Sequence, residues 1–212
     1  APNEASPRYS SPLRLTKSAT VKARAFAADM PPSQVSEAAF TIDPNLINLA
    51  GPGWRVYDAP GAAIPASNWQ VADGIATELS NYCVGSASDT SPDKERPGTL
   101  RLYAPGTDFT DGELTVEMSS SDDDGLGVAF RAQGIDRHYL WSMDAQRGFH
   151  VLACKNGSDY RVLAKNTEGF ALNQWYKVRV VLDGPKLTVY VDGKPDLEVS
   201  DRTFAKGAFA LY

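Results

Sequence analysis

The chain has 212 residues, 42% of them hydrophobic and 22% charged, which is ordinary for a soluble domain with room for a small neighbour. Its net charge of −5, from 21 basic and 26 acidic residues, argues against nucleic acid, whose phosphates call for a basic stripe. The longest apolar runs, such as Val178–Leu182 with Arg179 inside it, fall far short of the ~20 residues of a membrane span.

Taken from its start, the chain shows almost no helical pattern. Ala1–Pro12 is polar, rich in Pro and Ser, and has no signal-peptide pattern, so it reads as a mature or truncated start. Thr20–Ala27 alternates Val21, Ala23, Ala25 and Ala27 against Lys22, Arg24 and Phe26, and Ser36–Ile42 follows as a second strand. Asp43–Gly53 reads as a linker ending in a Gly/Pro turn.

Beyond the linker the strands become rich in aromatic residues. Gly112–Met118 places Leu114, Val116 and Met118 on one face and Glu113, Thr115 and Glu117 on the other. Gly127–Arg131, His138–Met143 and Gly148–Cys154 read as successive strands. Asn156-Gly157 suits a type I′ hairpin turn, with Tyr160–Ala164 as the return strand. Trp175–Leu182, Lys186–Val191, Pro195–Val199 and Ala208–Tyr212 follow, separated by Asp183-Gly184-Pro185 and Asp192-Gly193 turns. This regular punctuation is that of an antiparallel sandwich. Two cysteines, Cys83 and Cys154, are too few for a disulfide scaffold; they form one bridge or remain two buried thiols.

These residues carry two resemblances. Ser120–Arg131 (SSDDDGLGVAFR), then His138-Tyr139-Leu140-Trp141, Gln174–Val178, Val189–Gly193 and Asp201–Phe204, resembles concanavalin-like sandwich modules. The acidic triplet and the D-x-T-[FY]-x-x-G close are similar to the C-terminal lectin-like domain of thrombospondins. Laminin-G-like and carbohydrate-binding modules of bacterial enzymes resemble it more loosely. Tyr9–Ile42 is similar to the small Ig-like domain appended to chitobiases and β-hexosaminidases, without that domain's first strand. The resemblances imply an all-β chain: a partial Ig-like domain over 1–43, a linker over 44–53, and a concanavalin-like jelly-roll sandwich over 54–212. Fold does not fix function.

Asp122-Asp123-Asp124 offers hard oxygen ligands, and the resemblance points to Ca²⁺; a solvated acidic turn capped by Gly125 is the rival reading. Arg131, Tyr139 and Trp141 are candidates for a sugar platform, an aromatic face beside a polar fork. Trp54, Trp69 and Trp175 are rivals, with Trp175 expected in the core. Asn156-Gly157-Ser158 is a formal glycosylation acceptor, although the hairpin turn accounts for it. His138 and His150, the only histidines, lack the spacing of a zinc site.

Glycosidase chemistry takes two carboxyl groups roughly 5–10 Å apart. Glu113 and Glu117 share one strand face at about 13–14 Å, which is too far. The keto-sugar hydrolase relatives of this fold usually carry an N-S-G-I strand, and here the corresponding strand is Leu126-Gly127-Val128. The expectation is a non-catalytic, secreted or cell-surface module that binds a glycan. The alternative is a structural module that packs against other chains without binding sugar. Both ends are expected to be incomplete as domains, with other polypeptide segments completing the edges.

Overall fold

Alternation with a period of two decides which side chains meet between two sheets, and here it operates across the larger part of the chain. The computed structural model describes residues 1–11, 13, 15, 18–41, 45–82, 91–104 and 109–212. It divides into two compact units, Ala1–Asn48 and Leu49–Tyr212. In the first, β1 (Ala19–Ala23) pairs antiparallel with β2 (Ser36–Phe40), and a Lys22–Glu37 ion pair of 3.0 Å crosses the two strands. Most residues of both strands are exposed.

The second unit opens with β3 (Trp54–Asp58), the hairpin β4 (Trp69–Ala72) and β5 (Ile75–Glu78), and β6 (Thr99–Tyr103). Then come β7 (Gly112–Met118), β8 (Leu126–Gly134), β9 (Arg137–Asp144), β10 (Phe149–Asn156) and β11 (Asp159–Lys165). The last strands are β12 (Tyr176–Asp183), β13 (Lys186–Val191), β14 (Lys194–Ser200) and β15 (Ala208–Leu211). A seven-stranded sheet has the order β11-β10-β9-β8-β15-β6-β3, and a four-stranded sheet the order β14-β13-β12-β7. The second unit is therefore an all-β sandwich. β15 is paired on both sides, and the outer strands are β11 and β3 in one sheet, β14 and β7 in the other.

Val128, Phe130, Tyr139, Trp141, Met143 and Leu152 from the larger sheet meet Val178, Val180, Leu187 and Val189 from the smaller one in the main core. The opposite face of the larger sheet is also apolar. It carries a second cluster around Leu100, Leu102, Ala129, Leu140 and Ala210, and a third of Phe149, Val151 and Ala153. Covering both faces takes β8, β9 and β10 almost wholly out of water.

Two local expectations change. The β10–β11 turn is centred one residue later than Asn156-Gly157. Asn156 pairs with Asp159, and only Gly157 has positive φ (66°), whereas a type I′ turn needs two such residues. The type I′ pattern appears instead at Asp192-Gly193 (49° and 79°) and at Asp73-Gly74 (51° and 82°), the latter joining β4 to β5. Trp175 is 55% exposed rather than core, because it precedes β12 instead of opening it. Cys154 is a buried free thiol; Cys83 lies outside the described residues.

Arg131 sits in β8 at φ 47°, where the register with β9 shifts. Its guanidinium donates to the carbonyl oxygens of Thr110, Phe204 and Gly184 and to the Asp111 carboxylate, at 2.7 to 3.2 Å. Gly207 closes the same corner: a Cβ there would lie 2.3 Å from the Arg131 carbonyl carbon. Replacing Arg131 by Met removes five hydrogen bonds from a charged donor, of which the one to the Phe204 carbonyl is buried, and is expected to cost about 1.5–3 kcal/mol. Arg179→Met, which breaks the more exposed Arg179–Glu113 pair, is expected to cost about 1 kcal/mol or less. Denaturant unfolding of the two variants measures the contrast; equal losses would remove the special role of Arg131.

Candidate functional site

The residues expected to form a sugar platform lie between the sheets instead. Tyr139 and Trp141 are 0% exposed and Arg131 is 2% exposed, so no face of them is open to a ligand. The expectation of Arg131, Tyr139 and Trp141 as ligand-binding residues is therefore corrected. Their polar tips reach the side of the smaller sheet. Tyr139 Oη donates to Asp201 Oδ1 at 2.6 Å and accepts from Phe204 N–H at 3.1 Å. Trp141 Nε1 donates to Asp196 Oδ2 on β14 at 2.7 Å. Burial and the bond to Asp201 push the Tyr139 hydroxyl up to about 12, so it stays a donor at neutral pH.

The acidic loop is tied inward. Asp123 C=O accepts from Ala145 N–H and Gln146 N–H, at 3.1 and 2.8 Å. Arg147 lies 3.1 Å from Asp124 and 2.9 Å from the buried Asp144. Carboxylate oxygens of Asp122, Asp123 and Asp124 still lie within 4.8 Å of one another, with Asp122 and Asp123 exposed.

Where Tyr139 and Trp141 point inward, strand alternation turns His138 and Leu140 to the other face. There a cavity of about 290 Å³ opens over β9 and β10. Leu100 and Leu140 form its apolar floor, and Glu95, Asp136, His138, Lys155, Tyr160 and Tyr212 line its sides. His138 and Lys155 are cross-strand partners, so the pairing of β9 with β10 sets them side by side.

The far wall is the segment 93–98, a strap across the sheet. Lys165 Nζ binds both oxygens of Asp93 at 2.7 and 2.8 Å, and Lys155 pairs with Glu95. Arg96 lies 5.2 Å over the Phe149 ring, and its carbonyl accepts from Tyr212 Oη at 2.7 Å. At the strap's end Ala59 N–H donates to Gly98 C=O at 3.0 Å.

Burial shapes the ionisation of this cavity. It pushes the Tyr160 hydroxyl up to about 12, with the Glu95 charge adding to the shift, and it pushes Tyr212 up as well. Burial lowers the pKa of His138 despite its contact with Gly134 C=O at 3.2 Å, so the ring is neutral at pH 7. The site thus offers two neutral hydroxyls, a neutral imidazole and a Lys–Glu pair over an apolar floor. Hydroxyl-rich ligands with one apolar face suit such a surface. The sequence reading passed over Glu95, Asp136, Lys155, Tyr160 and Tyr212. Alternation from Tyr139 and Trp141 could have turned His138 and Leu140 toward a common face.

Residues 48–212 match the family described as 3-keto-alpha-glucoside-1,2-lyase-like domain. Among solved structures, a carbohydrate binding module from Bacillus subtilis aligns at 15% identity with a TM-score of 0.58, covering 75% of this chain and 86% of that one. A galectin-like fold protein of unknown function from the same organism aligns at 13% identity with a TM-score of 0.50, covering 74% and 81%. At these identities the likeness is one of fold. No curated protein matches the chain.

The lowered pKa of His138 has a consequence for stability. Its unfolded value is about 6.5 and its folded value lies below that, so the unfolded chain binds the extra proton first as pH falls. Melting temperature is expected to drop between pH 7 and pH 5, and His138→Gln is expected to remove that drop. Losses at lower pH remain, because Asp58, Glu78, Asp196 and Asp201 are held below the usual carboxylate range. Calorimetry across pH tests this; an unchanged drop in the variant would assign it to other groups.

Proposed function

The chain belongs to the 3-keto-alpha-glucoside-1,2-lyase-like domain family, and on that premise we propose that its larger unit is a non-catalytic carbohydrate-binding module of a secreted or cell-surface protein. The observation that carries this reading is the cavity of about 290 Å³. It lies at the lower end of the roughly 300–1,000 Å³ of small-molecule sites and suits a short saccharide. Leu100 and Leu140 offer an apolar base for a sugar face. Lys155, Glu95, His138 and Tyr160 offer donors and acceptors for its hydroxyls. The shared fold with a carbohydrate binding module supports the same role. The first unit, in this reading, is of the Ig-like type that the resemblance implies.

A second reading is favoured by the family's description together with His138. Elimination across C1 and C2 of a 3-keto-glucoside breaks the C2–H bond beside the ketone and the C1–O bond to the aglycone, forms a C1=C2 double bond, and leaves the aglycone oxygen to take up a proton. A neutral imidazole on a cavity wall is a group able to accept the C2 proton.

Glycan array screening followed by calorimetric titration of the full chain tests the first reading. Lys155→Ala is expected to weaken binding by about tenfold or more, the range of a charge-assisted hydrogen bond. Its circular dichroism should stay unchanged. No retained glycan, or full affinity in the variant, would leave a packing module instead. Incubation with a 3-keto-α-glucoside separates the second reading: released aglycone that His138→Gln abolishes would make the protein a lyase.

Calcium at Asp122–Asp124 belongs to the same proposal. Three carboxylates within 4.8 Å support it, with Asp124 shared with Arg147. EDTA is expected to lower the melting temperature, since an ion that binds only the folded state stabilises it. An Asp122→Asn/Asp123→Asn variant should gain no melting temperature from added calcium. Identical melting with EDTA and with added calcium removes the ion from the reading.

A further inference from the structure

At the margin of the sandwich, away from the cavity, a histidine lies among carboxylates. His150 extends from β10 into the space between the sheets, and its ring meets Trp141 edge-on at 5.5 Å. His150 Nδ1 is 2.9 Å from Asp196 Oδ1, with both side chains 4% exposed. Asp196 also accepts from Asn166 Nδ2 at 2.8 Å and from Trp141 Nε1 at 2.7 Å. Two donors, Trp141 Nε1 and Asn166 Nδ2, already point at this carboxylate, so Asp196 is the acceptor toward the ring as well. The ring proton therefore sits on Nδ1. The other nitrogen, Nε2, is buried and has no hydrogen-bond partner among the described residues. A buried, unpaired ring nitrogen is costly, and such exceptions call for an explanation.

Asn166 supplies the remaining part of the geometry. Its N–H donates to His150 C=O at 3.1 Å, and its Oδ1 accepts from His150 N–H at 3.2 Å and Glu168 N–H at 3.0 Å. This clasp holds the exposed Glu168 beside the buried ring. A ring nitrogen of His150 and carboxylate oxygens of Glu168 and Asp196 lie within 4.8 Å of one another.

We propose that His150 and Glu168 bind a divalent transition-metal ion of the zinc class, with Asp196 as the positioning residue that orients the imidazole through Nδ1. A metal-bound histidine commonly donates its other N–H to a carboxylate, which fixes the tautomer and raises ligand basicity. Imidazole selects zinc, cobalt, nickel or copper over calcium and magnesium. Exposure of Glu168 gives the ion an approach from solvent, and water completes the coordination.

Titration of the metal-free full chain with Co²⁺, followed by visible absorption and by Zn²⁺ competition, tests this. One equivalent is expected to give a d–d band that Zn²⁺ bleaches. Glu168→Gln, a change at an exposed position, is expected to keep the fold and weaken Co²⁺ at least tenfold. Asp122→Asn/Asp123→Asn is expected to bind like the unaltered chain, which separates this ion from the acidic loop. His150→Gln should abolish the band; if that variant unfolds, Glu168→Gln decides. No band at millimolar Co²⁺, or undiminished binding by Glu168→Gln, overturns the proposal.

Discussion

Two sheets of seven and four strands meet mainly through apolar side chains, and apolar contact has no direction. What sets one sheet against the other is a buried guanidinium. Arg131 leaves the larger sheet and ends on Thr110, Asp111 and Gly184, which border β7 and the β12–β13 turn of the smaller sheet. A buried charge is tolerated when its donors are used, and these donors can be used in only one relative placement of the sheets. Tyr139 on Asp201 and Trp141 on Asp196 repeat the device farther along. All three residues do their work through a polar tip on a buried body.

The sequence points to those same residues for a different task, and the reason is physical. Their types are right for ligand binding: one cation and two amphipathic aromatics. Their direction is not legible, because β8, β9 and β10 are buried on both faces and alternation alone does not tell which face meets the other sheet. Where one face is polar the reading succeeds. Gly112–Met118 and Lys186–Val191 appear with the expected bounds. The strands from β3 to β6 escaped it, although Asp73-Gly74 between short alternating runs was a usable hairpin signal. The cavity was the least legible part. Glu95 and Lys155 meet across 60 residues of chain, and no periodicity encodes such a meeting.

The strap also explains why a second apolar face is compatible with a folded module. Phe149, Val151 and Ala153 would form an exposed apolar patch on the larger sheet, and residues 93–98 run across that face. The cavity is the space left between strap and sheet. Its walls are thereby held by the same bonds that keep the face dry: Asp93–Lys165, Glu95–Lys155 and Tyr212 to the Arg96 carbonyl. A ligand entering it meets groups already in place, which lowers the entropy cost of binding.

The position of β15 bears on how the protein is made. β6 and β8 are not partners; each pairs with β15, which lies between them and follows both in sequence. During synthesis the β8–β11 meander and the β3–β6 pair emerge as separate half-sheets. Each then carries an unsatisfied inner edge until β15 emerges and inserts. Such late, long-range closure makes for slow folding and a long interval in which sticky edges are exposed. A newly made chain is therefore most in need of a chaperone just before β15 arrives.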